Sequence, residues 1–121
     1  MKHKEDNLIK EKSFRLALMI IDVYKFLINK NEYVLSKQLL RAGTSIGANI
    51  EEAQASQSRK DFLSKMSIAS KEARETLYWI NLLIKANFLD DYQYTDKLVE
   101  EINSIINILT KIVKTVSNTT K

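Results

Sequence analysis

The apolar residues of this chain recur every three or four positions through four long segments, the spacing typical of one face of an α-helix. The pattern predicts helices over residues 7–29, 32–55, 59–87 and 91–116. The expected core stripes are Leu16, Ile20, Val23 and Leu27; Leu35, Leu39, Ala42, Ile46, Asn49 and Ala53; Phe62, Met66, Ala69, Ala73, Ile80 and Leu83; and Leu98, Ile102, Ile105, Leu109, Ile112 and Val116. Because short connections make neighbouring helices antiparallel, residues 1–121 are predicted to form one all-α domain, an antiparallel up-down-up-down four-helix bundle.

Polar residues between the segments indicate where the helices end. Asn29–Asn31 is predicted to be a short connection, and Ser58 the N-cap of the third helix. Asn87 is expected to end the third helix in a left-handed conformation, and Asp90 or Asp91 to cap the fourth. Residues 117–121 are expected to form a frayed tail.

Composition agrees with a helical chain. It has no proline and two glycines, whereas turn-rich β folds need both residues repeatedly. The absence of cysteine excludes disulfides and thiolate metal sites. The charged N-terminus lacks the apolar stretch of a signal peptide, and no apolar run approaches the ~20 residues that cross a bilayer. We therefore expect a cytoplasmic protein that does not associate with a membrane.

The first helix has a second apolar stripe beside its core stripe, formed by Ala17, Ile21, Tyr24 and Ile28. So wide an apolar arc indicates burial on two sides. A sister helix or another subunit would provide the additional cover, so the pattern is compatible with a homo-oligomer.

Both glycines, Gly43 and Gly47, lie inside the predicted second helix. Each costs ~1 kcal/mol relative to alanine in a helix interior, so a compensating role is expected. Their four-residue spacing places them on one face, where they would allow close packing of another helix. A local kink and contact with a ligand are the alternatives.

A polar stripe, which we call the polar seam, accompanies the glycines: Arg41, Ser45, Asn49 and Glu52 on the second helix, with Glu75 on the third. Arg41 and Glu75 have the chemistry of an inter-helix ion pair. The simplest interpretation is a hydrogen-bonded seam that orients helices two and three. A functional groove is the second interpretation, and a catalytic site a third.

Little in the chain favours catalysis, and we predict no catalytic residue, no metal site and no cofactor. The single histidine, His3, lies in an N-terminal tail that is expected to be mobile, so we expect no histidine-based acid–base chemistry or metal binding. The acids do not form the Glu-x-x-His pairs of di-iron bundles. One alternative is a Mg²⁺ site, which would require Asp22, Glu52, Glu72 and Glu75 to cluster in space.

The net charge is +4, and the basic excess lies in the first and third segments. Candidate phosphate-binding residues on the third helix are Arg59, Lys60, Lys65, Lys71 and Arg74. Such a row can neutralise the phosphates of RNA or DNA, or it can be an ordinary solvated face. Tyr78 and Trp79 follow; aromatic rings beside cations can stack on unpaired bases, although they are more often core or interface anchors.

The second and third segments carry an Arg-x-x-x-Ser-Ile-x-x-Asn-Ile-x-Glu pattern from Arg41 to Glu52, continued by Ser67–Ala69 and Glu75. This pattern resembles the four-helix bundle proteins encoded in intervening sequences of bacterial large-subunit ribosomal RNA genes. That family includes the accessory variability protein of diversity-generating retroelements. The chain departs from the family at two positions. Other members often have glycine where this chain has Ala53, and they often have proline or a bulkier residue where it has Gly47.

The resemblance implies an antiparallel four-helix protomer that assembles into a ring-like homopentamer. It also implies nucleic-acid binding and a protein partner, because the retroelement member binds nucleic acid and a reverse transcriptase. The leading hypothesis is a non-enzymatic homo-oligomer that binds RNA or DNA, as an accessory to a nucleic-acid enzyme. The alternative is a scaffold or protein-binding oligomer with no nucleic-acid role.

Overall fold

The computed structural model describes residues 4–119, so His3 and the last two residues of the expected tail lie outside it. Four helices follow one another: α1 (Lys4–Asn29), α2 (Leu35–Gln54), α3 (Arg59–Lys85) and α4 (Thr95–Thr119). Each helix packs on the next, and α4 packs on α1. These four contacts close the bundle, which confirms the predicted fold class. Within the described range, no helix is long and apolar enough to span a bilayer.

The predicted stripes form the core with two exceptions. Leu35 is half-buried at the first residue of α2, and Asn49 is half-buried at the edge of the bundle. The buried position expected for Asn49 is taken by Ile50, which is fully buried. The α2 stripe steps by four residues from Ile46 to Ile50, and this step leaves the amide of Asn49 outside the core.

The predicted start of α2 at residue 32 is wrong. Asn31 has a left-handed backbone with φ 66°, and the helix begins at Leu35. The Glu32 carboxylate accepts hydrogen bonds from the backbone N–H groups of Val34, Leu35 and Ser36, at 3.2, 3.0 and 2.6 Å. The first backbone N–H groups of a helix have no acceptor within the helix. Glu32 supplies an acceptor for three of them and therefore caps α2 from outside the helix.

The connection between α3 and α4 is longer than predicted. Asn87 adopts the expected left-handed conformation, with φ 67°, but α4 begins at Thr95 and not at residue 91. Neither Asp90 nor Asp91 caps α4, because both lie at least four residues before its first residue; Asp91 instead accepts a hydrogen bond from Lys30 at 2.9 Å. Tyr92 anchors the connection, with its ring 4.9 Å from that of Phe26.

Among the other predicted helix ends, the start of α3 is confirmed, whereas the start of α1 and the end of α4 each differ by three residues. Ser58 is the N-cap of α3, and its hydroxyl accepts a hydrogen bond from the backbone N–H of Asp61 at 3.0 Å. α4 continues to Thr119, so residues 117–119 are helical and not a frayed tail. α1 begins at Lys4, earlier than the predicted residue 7.

Both glycines of α2 face α1. A Cβ atom at Gly43 would lie 2.7 Å from Cγ1 of Ile20, and one at Gly47 would lie 3.4 Å from Oγ of Ser13. The backbone of α2 is unbroken at both residues. The side of α2 that carries the two glycines therefore lies against α1, whereas the polar seam lies on the side that faces α3.

Candidate functional site

Arg41 joins α2 to α3 within the polar seam. Its guanidinium forms ion pairs with Glu75 and with Glu72, the latter at 3.5 Å. Its Nε donates to Oε1 of Gln38 at 3.3 Å. The structure thus brings together Arg41 and Glu75, the two residues with complementary chemistry in the sequence.

Trp79 extends this cluster by one turn of α3. Its indole N–H donates to Oε2 of Glu75 at 2.8 Å. This hydrogen bond, with the positive charge of Arg41, holds the pKa of the Glu75 carboxyl below its ordinary value despite partial desolvation. Glu75 is therefore an ionised acceptor shared by two helices, which suits a structural role better than proton transfer.

The other end of the seam is a second ion pair. Glu52 on α2 accepts a hydrogen bond from Lys65 on α3 at 2.7 Å. Between the two pairs, the Asn49 amide donates to the carbonyl of Ser45 at 2.9 Å, within the same helix. The four predicted α2 residues therefore share one side of the helix, but they do not converge on a common point.

The predicted basic residues of α3 divide into different sides of the helix. At 3.6 residues per turn, Lys60 and Lys71 fall within about 20° of each other, and Arg74 lies about 40–60° from them. Lys65 lies about 120–140° away, toward α2, where it pairs with Glu52. We call Lys60, Lys71 and Arg74 the basic face of α3; all three are exposed.

The two predicted arginines differ in their surroundings. Arg59 is exposed at the first residue of α3, where it borders an open cleft with Gln54, Ser58 and Phe62. Arg74 donates through Nη2 to the hydroxyl of Thr110 on α4 at 3.0 Å. Thr110 was not identified from the sequence, because finding it requires the register between α3 and α4.

The second feature of the surface is apolar. On α1, Phe14 is 67% exposed and Leu18 is 55% exposed, and Ile21 is exposed nearby. Leu18 also lines an open apolar cleft between α1 and the α3–α4 connection, together with Met19, Asp22, Tyr92, Tyr94 and Lys97. We call Phe14, Leu18 and Ile21 the apolar face of α1. Of the predicted second stripe, Ile21 is exposed whereas Ala17, Tyr24 and Ile28 are half-buried.

The chain is similar to known proteins in both sequence and structure. Residues 5–111 match the family model described as 23S rRNA-intervening sequence protein. The chain belongs to that family. The crystal structure of a protein of unknown function from the S23 ribosomal protein family of Bacteroides thetaiotaomicron has a TM-score of 0.86 and 46% sequence identity. The match covers 91% of this chain and 98% of that one. No curated protein matches the chain significantly.

The family match confirms the resemblance drawn from α2 and α3. In this intervening-sequence protein, Arg41 and Glu75 of the recognised pattern form the inter-helix ion pair, and Ile46 and Ile50 are core residues. The charged residues of the motif therefore join α2 to α3, and its two isoleucines on α2 contribute to the core. The exposed basic and apolar faces lie outside the motif.

The four carboxylates considered for a metal do not gather. Glu72 and Glu75 share Arg41, Glu52 pairs with Lys65, and Asp22 accepts the Tyr92 hydroxyl at 2.5 Å. Burial of the Tyr92 side chain is the larger cause, and the nearby Asp22 carboxylate the smaller cause, of a raised pKa of the Tyr92 phenol. Among residues 4–119, no group of three histidine, cysteine, aspartate or glutamate side chains is arranged to hold a metal ion.

Proposed function

We propose that this family member is a non-enzymatic homo-oligomer that binds RNA or DNA through the basic face of α3. The observation that carries the proposal is the separation of charge around α3. Lys60, Lys71 and Arg74 are exposed on its outer side. The acidic residues Glu72 and Glu75 lie toward α2, where Arg41 pairs with them.

This separation makes the outer side of α3 more basic than a net charge of +4 implies. Exposed cations that are not engaged with carboxylates are available for phosphates, and each phosphate that they neutralise releases counterions. The polar seam is the structural support of this surface, since it fixes α3 against α2.

The apolar face of α1 supports self-association. Phe14, Leu18 and Ile21 lie one turn apart beside an open apolar cleft, and contiguous exposed apolar patches mark interaction sites. A second copy of the chain is the occupant that we propose, because repeated copies in a ring would present several basic faces to one nucleic acid. Family resemblance favours five copies.

A protein partner at the same apolar face is the second candidate, since exposed aromatic side chains are typical anchors of protein interfaces. In that case the chain would act as a scaffold without a nucleic-acid role. The chain could combine both roles as an accessory protein that binds nucleic acid together with a cytoplasmic nucleic-acid enzyme.

Electrophoretic mobility shifts with labelled RNA and DNA test the proposal. Binding is expected at ~50 mM salt and is expected to fade toward ~200 mM, because phosphate contacts weaken steeply with salt. The triple variant Lys60→Glu, Lys71→Glu, Arg74→Glu is expected to abolish the shift.

The matched control carries the same change in net charge at three exposed lysines outside α3 and outside the apolar face of α1: Lys30→Glu, Lys37→Glu, Lys114→Glu. It is expected to retain most of the binding. Equal losses in the two triple variants would show that net charge and not the basic face carries the interaction. Capture of a protein that is insensitive to salt, with no bound nucleic acid, would favour the scaffold role.

A further inference from the structure

Tyr78 is an exposed aromatic residue on the same side of α3 as the basic face. Its side chain is 58% exposed, and at 3.6 residues per turn it lies within about 20° of Lys60 and Lys71. Its ring meets the ring of Trp79 edge-on, with centroids 5.1 Å apart and planes at 74°. Tyr78 therefore presents an aromatic ring to solvent on the same side of α3 as the cations.

The support behind Tyr78 is well fixed. Trp79 is half-buried, and its indole N–H is bound to Glu75 at 2.8 Å. Glu75 is in turn bound to Arg41 of α2. The Tyr78 ring therefore contacts an indole that hydrogen bonds hold in place across two helices.

Cations flank Tyr78 on both sides along α3. Arg74 lies one turn before it, Lys71 two turns before it and Lys85 two turns after it, and all three are exposed. Lys71 and Lys85 are ~21 Å apart along the axis. The carboxylate closest along the helix, that of Glu75, is engaged by Arg41 and Trp79.

We propose that Tyr78 stacks on an unpaired base of a single-stranded RNA or DNA whose phosphates lie on Lys71, Arg74 and Lys85. This inference rests on the proposed nucleic-acid role of the basic face and adds a class of ligand to it. Stacking on an aromatic ring requires a base with a free face, which a strand or loop offers and a regular duplex does not. Cations spread over ~21 Å can follow the backbone of a few nucleotides on either side of that base.

The chain contains its own reporter for this site, because Trp79 is the single tryptophan. A base that stacks on Tyr78 would lie beside the indole and change its emission. Fluorescence of the unmodified chain therefore reports occupation of this site, while anisotropy of a labelled strand reports binding anywhere on the protein.

The experiment titrates the full chain with strands of about 15 nucleotides, as RNA and as DNA, and with the duplexes of the same sequence. At low salt we expect single strands to bind more tightly than duplexes and to quench Trp79. Tyr78→Ala is expected to weaken single-strand binding about tenfold, which corresponds to ~1.4 kcal/mol, and to leave duplex binding unchanged. Tyr78→Phe is expected to retain the wild-type affinity, because the ring is kept.

Tyr33→Ala is the matched control, since Tyr33 is 57% exposed and lies in the α1–α2 connection. Equal binding of strand and duplex, or wild-type affinity in Tyr78→Ala, would overturn the inference and leave the basic face as a binding surface. Absence of salt-dependent binding to every probe would overturn the proposed function, and the inference with it. A response to only the RNA or only the DNA strand, lost in Tyr78→Ala, would support the inference and identify the sugar.

Discussion

A Cβ atom added to Gly43 would lie 2.7 Å from Cγ1 of Ile20, with Cγ2 and Cδ1 of the same side chain at 2.9 and 3.0 Å. Ile20 is fully buried, and a β-branched side chain has one strongly preferred χ1 rotamer in a helix. It cannot rotate away from an added methyl group. The spacing of α1 and α2 at this point therefore requires glycine.

Gly43→Ala is expected to lower the free energy of unfolding by about 1 kcal/mol. Overpacking of a core typically costs about 1–3 kcal/mol, and the higher helix propensity of alanine offsets about 1 kcal/mol. Urea denaturation followed by circular dichroism measures the change. In an Ile20→Ala background the three crowding atoms are gone, so the same substitution is expected to stabilise the bundle; an unchanged cost there would contradict this explanation.

Gly47 provides the contrasting case on the same helix. Its added Cβ would lie 3.4 Å from Oγ of Ser13, which is ordinary van der Waals contact. Helix propensity then dominates, and Gly47→Ala is expected to raise the free energy of unfolding by about 0.5–1 kcal/mol. Destabilisation in the same urea assay would show that this crossing is also too close for a methyl group.

The Glu32 cap makes a third prediction. Glu32→Ala leaves the backbone N–H groups of Val34, Leu35 and Ser36 without their carboxylate acceptor. Loss of a helix cap typically costs about 0.5–2 kcal/mol, and we expect the upper half of that range because Glu32 is buried. Glu51→Ala, which removes an exposed carboxylate 3.6 Å from Lys10, is the control and is expected to change stability by less than about 0.5 kcal/mol. Similar losses in both variants would argue against the cap.

The core of this bundle could be predicted from sequence, whereas the helix starts could not. Leu98, Ile102 and Ile105 repeat at helical spacing, and burial follows directly from that repeat. Glu32 is as acceptable inside a helix as before one, so only the positions of the α2 amides reveal it as a cap. Asn49 illustrates the same limit, because steps of three and four residues both suit a helix, and the neighbouring helices decide which one is buried.

The basic face shows why the candidate site was predicted only in part. Lys65 and Lys71 are equally polar in the sequence, yet one pairs with Glu52 and the other lies on the outer side of α3. Separating them requires knowing on which side of α3 the helix α2 packs. The exposure of Phe14 was hidden for a related reason, because an apolar residue on a helix gives no sign of whether its own bundle covers it.

Glu75 predicts a dependence of stability on pH. The pKa of its carboxyl in the folded chain lies below the ordinary value of 4.5. The ionised carboxylate therefore stabilises the fold fully above that value, and this contribution is lost as the pH falls through the folded pKa. We expect the difference in free energy of unfolding between the wild type and Glu75→Gln to stay constant above pH 4.5 and to shrink as the pH falls below that value.

The free energy of unfolding of Glu75→Gln is subtracted from that of the wild type at each pH. This difference cancels the contributions of the other carboxylates, since they titrate in both proteins. Glutamine also keeps an oxygen that can accept the Trp79 indole N–H. A difference that does not change with pH would show that Glu75 contributes through its shape and neutral hydrogen bonds, and not through its charge.

The apolar face of α1 predicts the final measurement, which is mass in solution. Light scattering after size-exclusion chromatography is expected to give a multiple of the 14.0 kDa of one chain, five times that value if the family resemblance holds. The double variant Phe14→Lys, Leu18→Lys is expected to run as a monomer, because charged side chains in an apolar contact lose their hydration without gaining partners. Val34→Lys is the control: Val34 is 72% exposed in the α1–α2 connection, away from this face. A wild-type chain of 14.0 kDa, or a double variant that keeps the wild-type mass, would contradict the assignment of this face to a second copy.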